Sequence, residues 1–316
     1  MGQSLSGSQV FAISARRYHA LMTQADVRSV ERNRALVLFS KLLTRLQADR
    51  YMGYEFDDFL ASPLLNALGR RNLTAARVLI QVGERLPINL RPLLGVPKLT
   101  STKAMGFIVK GLIRVHRATG DEELLREANR LLDWLLLNHS RGFSGLAWGN
   151  AFDFASRGGY FKKGTPTVVW TSHIGEAFLW AYETTGDERY RDAVASCGEF
   201  VLNDLDRHVD ENGVCIAYTP GHPILVHNSN LLGAVSLLRA WRITREDAYL
   251  DVARSSFRWS LSHVRNDGSI PYGVGSQWDW IDNFHTAYVL NCLLEARSIA
   301  GEELVSEERL EDCFSY

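Results

Sequence analysis

The chain has 316 residues, 46% hydrophobic and 22% charged, an ordinary globular composition with material for a large core. Lys plus Arg number 35 against Asp plus Glu 36. That balance gives no electrostatic reason to expect nucleic acid or an anionic membrane surface as partner. Cys197, Cys215, Cys292 and Cys313 are scattered without a CxxC pair. The spacing argues against a cysteine-built zinc site and offers no disulfide pattern.

The N-terminal Met1-Gly2-Gln3-Ser4-Leu5-Ser6 has no apolar signal region, although it fits the loose N-myristoylation pattern. No run approaches the roughly 18 apolar residues of a membrane span. A cytoplasmic protein is expected.

Residues 8–23 and 28–48 read as helices, the second from Ala35, Leu36, Leu38, Phe39, Leu42, Leu43 and Leu46 at helical spacing. Glu55 to Leu68 and Leu73 to Leu86 read as a helical pair, followed by a Pro-bearing connection to Ser101. From there a repeat sets the architecture. Apolar helices end in Ala118-Thr119-Gly120-Asp121-Glu122, Thr184-Thr185-Gly186-Asp187-Glu188, Ile243-Thr244-Arg245-Glu246-Asp247 and Ile299-Ala300-Gly301-Glu302-Glu303. Gly stops one helix and the acids start the next, so each unit is a helical hairpin.

The first helix of a hairpin, such as Val168 to Tyr182, is apolar nearly all round and should be buried on most sides. The stretches Leu231 to Trp241 and Ala287 to Leu294 look similar. The second helix is amphipathic. Buried inner helices alternating with half-exposed outer ones predict an all-α fold, an (α/α)6 toroid in a single domain over 1–316. The hairpins are clear over 101–300 and weaker over 1–100.

Each outer helix is followed by a turn and a short extended run ending in an aromatic. Asn212-Gly213-Val214-Cys215-Ile216-Ala217-Tyr218 resembles Asp267-Gly268-Ser269-Ile270-Pro271-Tyr272, and Gly145-Leu146-Ala147-Trp148 is a weaker copy. These loops predict short β-hairpins on the face where the inner helices begin. Free N–H groups at those helix starts favour an anion there.

That face collects the unusual residues. Asp282, Asn283 and His285 open the last inner helix, after Trp278, Asp279 and Trp280; His227 and Asn228 open the one before it. His173 and Glu176 lie a turn apart on an earlier inner helix and can share a face. Loops add Trp148, Tyr160, Lys162, Tyr218 and Tyr272. Aligned on the repeat, Trp170, Ser229 and His285 fall at equivalent positions. Thr167, Ser229 and Asp282 read equally as helix N-caps, and His173, inside an apolar helix, reads more readily as a core imidazole. HExxH, Gly-rich phosphate loops and a GxSxG elbow are absent, so no metal or cofactor is called for.

The segments Asp267-Gly268-Ser269-Ile270-Pro271-Tyr272-Gly273 and Ile281-Asp282-Asn283-Phe284-His285-Thr286, with the repeated Thr-Gly-Asp-Glu, resemble the α/α-toroid carbohydrate proteins. These are six-hairpin glycosidases, exopolysaccharide-biosynthesis proteins of the vibrio exopolysaccharide J type, and C-terminal domains of glucuronyl C5-epimerases. The likeness covers residues 100–300 and implies a saccharide or glycolipid-linked saccharide as partner.

The leading expectation is an epimerase, lyase or hydrolase acting on an acidic saccharide. Hydrolysis needs two carboxylates, drawn from Asp282, Asp279 or Glu176. Epimerisation or elimination needs an acid and a base beside a carboxylated carbon. His285 or His227 with Tyr272 or Tyr218 would serve, with Lys162 or helix N-termini holding the carboxylate. The alternatives are a non-catalytic glycan-binding scaffold and a terpene-cyclase-like enzyme. The second would need a DxDD motif, which Asp279-Trp280-Ile281-Asp282 does not supply.

Overall fold

The computed structural model describes residues 24–316, so the helix expected over 8–23 lies outside the described residues. Contacts divide the chain into two compact units, with the boundary after Met52. The first contains α1, Gln24–Ala48, close to the expected bounds. Arg45 in its last turn pairs with Asp49 at 2.7 Å, a placement that suits the negative end of the helix dipole.

In the second unit, the helix expected from Glu55 to Leu68 is broken. A 3-10 turn, Asp58–Ala61, precedes α2, Pro63–Gly69. Pro63 forces Ser62 into an extended conformation, and the Ser62 hydroxyl accepts the Leu65 N–H as an N-cap. Helix α3, Leu73–Arg85, follows, capped by Asn72.

Four full hairpins come next: α4 (Thr102–Thr119) with α5 (Glu122–Leu137), α6 (Val168–Thr185) with α7 (Glu188–Asn203), α8 (His227–Thr244) with α9 (Asp247–Leu261), and α10 (Asn283–Ala300) with α11 (Glu307–Ser315). The first helices form an inner row in which α4 packs on α6, α6 on α8 and α8 on α10. The second helices lie outside it. Gly120 and Gly186 end α4 and α6 with φ of 74° and 71°. Asp121 and Asp187 then accept the N–H groups of Glu123 and Arg189 to start the next helices. The third copy puts Arg245 at φ 64° instead of Gly, which costs roughly 1–2 kcal/mol.

Burial is uneven along the inner row. Every residue of α8 from His227 to Ala240 is buried, as is most of α6. Helix α10 buries only a stripe of Val289, Cys292, Leu293 and Ala296. It had been expected to be enclosed like α6 and α8. It stands at the end of the row, and Phe284 and Leu294 stay exposed. Phe107 on α4, at the other end, does the same.

The loops between hairpins carry β1 (Phe154–Ser156) paired with β2 (Gly159–Phe161), and β3 (Arg207–Asp210) paired with β4 (Gly213–Ile216), both antiparallel. The last loop forms no strand but bridges Gly273 to Val226. Each loop is fixed by one glycine. A Cβ on Gly145 would lie 2.0 Å from the Ser196 carbonyl oxygen, on Gly213 2.3 Å from that of Ser255, and on Gly268 2.0 Å from that of Asp312. Ser196, Ser255 and Asp312 lie on α7, α9 and α11, each the outer helix of the following hairpin. The repeated turn glycine is therefore a docking contact between successive units. Gly268 also has φ 82°. Gly268→Ala should destabilise the fold by about 2–3 kcal/mol from the clash and the left-handed backbone together, read as a lower denaturant midpoint with an unchanged m-value.

Candidate functional site

The loop face holds an open cleft of about 590 Å³. Its floor is the start of α10. Asp282 is the N-cap, and its two oxygens do different work. Oδ1 accepts the His285 backbone N–H at 2.9 Å. Oδ2 lies 2.6 Å from His285 Nδ1 and accepts the Trp280 indole N–H at 3.0 Å. The carboxylate therefore caps the helix and orients the imidazole at once. Burial pushes the Asp282 carboxyl up, but the bonds from His285 and Trp280 outweigh it and keep the group ionised. With Nδ1–H given to the carboxylate, His285 Nε2 is left as the basic atom.

Aromatic rings build the wall. Tyr272 stacks on Trp280 with centroids 4.4 Å apart and meets His285 edge-on at 4.5 Å. Trp278 lies 5.8 Å from both Tyr272 and Trp280. Backbone bonds set this wall: His227 N–H donates to the Tyr272 carbonyl, and Tyr272 N–H to that of Trp280. Burial, then Asp282, raises the Tyr272 phenol pKa, so it stays protonated. Tyr218, raised by burial, forms the opposite side with Phe154 and Phe161.

Among the described residues one cation lines the cleft. Arg157 sits at the tip of the β1–β2 hairpin, its guanidinium 5.1 Å over the Trp280 ring, bonded only weakly to the Gln277 carbonyl at 3.4 Å. The sequence reading missed it. Its signal is a charged residue in the Ser156-Arg157-Gly158-Gly159 turn, since β-hairpin tips reach furthest over the face.

The candidate residues thus separate. Tyr218, Tyr272, Trp278, Trp280 and His285 come together, with Asp282 directly behind. Others do not. Trp148 is fully buried, its indole N–H donating to the Leu135 carbonyl, and is core. His227 is also fully buried, with its ring against Trp259 and His263. Burial and His263 push its pKa down to about 3. It holds the Tyr272 loop through its backbone and cannot serve as the base. Asn228 lies just inside the surface beside Asp282 and His285, around a void too small for a sugar. Asp279 turns outward to Arg265 at 2.5 Å, and Asn283 is exposed beyond the cleft lining. Lys162 is exposed beside a separate small void shared with Trp170 and Tyr218. His173 and Glu176 face a second cleft along the inner row.

Tyr160 has a structural task. Its hydroxyl donates to Asp153 Oδ2 at 2.7 Å. The same carboxylate takes Asn66 and Arg70 at 3.0 Å each and the Lys163 N–H at 2.7 Å. Burial raises the Asp153 pKa, but these donors, Tyr160 first, bring it down to about 2. The folded value lies below the ordinary aspartate value of 3.8. The stabilisation is therefore present above pH 4 and lost as pH falls from about 4 to about 2; it amounts to about 2 kcal/mol. Acid titration of stability should show this loss in the native chain and not in Asp153→Asn.

No family model and no curated protein matches the sequence. Solved structures do. The Lin0763 protein from Listeria innocua superposes with TM-score 0.52 at 14% identity over 72% of this chain and 60% of its own. The GH76A alpha-1,6-mannanase from Salegentibacter sp. HEL1_6 gives 0.51 at 18% identity over 69% and 60%. Cellobiose 2-epimerase from Bacillus thermoamylovorans B4167 gives 0.51 at 13% identity over 83% and 73%. The chain has the α/α-toroid fold. The chain spans about 60% of the length of the first two of these proteins.

Proposed function

We propose that the chain is a carbohydrate-active enzyme that moves a proton on the carbon beside the carboxylate of an acidic saccharide, in the loop-face cleft. The observation that carries this is the make-up of the lining. Among the described residues that line the cleft there is no Asp or Glu, which disfavours two-carboxylate hydrolysis. An Asp-oriented imidazole, a protonated tyrosine and one guanidinium do face it. Sugar rings stack well on such aromatic walls. The mannanase and epimerase names among the structural neighbours agree with a saccharide substrate.

In this reading, His285 Nε2 removes the proton while Arg157 holds the carboxylate that takes up the developing charge. A proton returned from the opposite side, where Tyr218 stands, inverts the centre, while Tyr272, in ring contact with His285, shares the side of the base. Loss of the neighbouring glycosidic oxygen instead would leave a double bond. The test is incubation with uronate-containing oligosaccharides in deuterated water. Deuterium at the carbon beside the carboxylate, without hydrolysis, supports the proposal. Hydrolysis without deuterium uptake, or binding with no product from any uronate, removes it; the latter points to a glycan-binding scaffold. Arg157→Met should raise KM for the acidic substrate about 10- to 100-fold, the loss of a charged hydrogen bond, with a smaller change in kcat.

A further inference from the structure

The second cleft, about 780 Å³, runs along the inner row between α4, α6, α8 and α10. It begins one turn below the first, since Tyr288 lines it and His285 lines the other. Its walls are aromatic at one end. The His173 ring lies between Phe107 at 4.9 Å and Tyr288 at 5.2 Å. Along its floor runs a chain of paired charges. Lys110 Nζ donates to Glu176 at 2.7 Å, Glu176 lies 3.8 Å from Arg239, and Arg239 grips Glu295 through two bonds of 2.6 and 2.7 Å.

Two features have no explanation within the fold. His173 is 6% exposed, yet its Nε2 has no hydrogen-bond partner, and an unmet buried polar atom costs about 1–3 kcal/mol. Gly111 sits in the middle of α4, where Gly costs about 1 kcal/mol against Ala. A Cβ there would meet nothing within 4 Å, so neither packing nor a turn requires glycine. Both residues line the cleft, and both are accounted for by something that occupies it.

We propose that this inner cleft is a second ligand site, for a neutral polyhydroxylated molecule of sugar type. Three pairs, Lys110 with Glu176, Arg239 with Glu295 and Arg242 with Glu183, take up every lining carboxylate, and Arg114 lies over the Trp180 ring, so an anion would find most cations engaged and carboxylates beside them. Hydroxyl groups suit the floor better: each can donate to a carboxylate lone pair and accept an N–H from Lys110 or Arg239. The His173 nitrogen is completed by such a hydroxyl. Burial, helped by the Lys110 and Arg239 charges, drives its pKa down to about 3. A neutral imidazole asks for no counter-ion. The site is independent of the reaction proposed for the loop face.

The test uses the full chain labelled with 15N-histidine, titrated separately with glucose, mannose, galactose and glucuronate. The His173 ring resonance should shift with a neutral sugar, and less with glucuronate. Gly111→Trp would fill the cleft from an open position and should abolish the shift; Lys110→Met should weaken binding about tenfold. Thermal melts confirm that both variants fold. No shift with any neutral sugar, a stronger response to glucuronate, or a shift that persists in Gly111→Trp and Lys110→Met would overturn the proposal. The His285 resonance reports the loop-face cleft in the same spectra, so the two sites are read apart.

Discussion

His285→Ala should lower turnover of an acidic saccharide about 100- to 10,000-fold, the usual worth of a positioned general base. The fold should survive, because the imidazole is partly exposed and the Asp282 cap bond runs to the backbone N–H of residue 285, which alanine keeps. Asp282 provides the sharper experiment. Asp282→Asn keeps an N-cap of equal quality, so stability should hold within a few tenths of a kcal/mol. It replaces the carboxylate that fixes Nδ1–H with an amide that can donate, which permits the wrong tautomer. Turnover should therefore fall by a factor approaching that of His285→Ala. Asp282→Ala loses the cap too, about 1 kcal/mol. Steady-state rates and denaturant melts of the three variants separate capping from catalysis. Full activity in Asp282→Asn would remove the oriented-imidazole account.

The largest stability effect is expected at Arg239. The residue is 3% exposed, its side chain bonded twice to Glu295 and donating to the Ser172 carbonyl at 2.6 Å. Taking it away strips Glu295 of this partner, while Glu176 keeps Lys110 at 2.7 Å. Breaking a buried pair from one side costs about 3–5 kcal/mol. Both glutamates keep some contact with water, at 28% and 21% exposure, so the lower end applies. Arg239→Met should lower Tm by roughly 6–12 °C. The double variant Arg239→Met with Glu295→Met should recover most of that loss, because no buried charge is then left alone. Equal melting temperatures for single and double variants would show that the loss is packing and not charge.

The hairpins were legible because Gly120, Gly186 and Gly301 end helices for a local reason that any reader of sequence can apply. The equivalence of Trp170, Ser229 and His285 held for the same reason: all three are the third residue after the N-cap. Local rules also suggested Asp282 as cap or functional group; the cap is formed, and the same carboxylate meets the His285 imidazole. What the sequence hid depends on distance. Nothing near His227 says that Trp259 and His263, a hairpin away, cover its ring. Nothing near Trp148 reveals the Leu135 carbonyl. Arg157 gains its place only when the β1–β2 turn meets a loop 120 residues later. The break at Ser62-Pro63 was legible and overlooked, since proline there announces a new start.

The glycine contacts between successive units also determine how the cleft is supported. The loop that carries Tyr272, Trp278 and Trp280 is pinned by Gly268 against Asp312, on the last helix of the chain. Leu310 and Cys313 of that helix are buried in the core shared with α8 and α10. Neither Asp312 nor any other residue of α11 lines the cleft. Even so, proteolytic trimming of those final residues would free the aromatic wall while leaving every residue of the wall in place. Helix α11 acts as a clasp at the far edge, and the shape of the wall depends on a helix that never reaches the cleft.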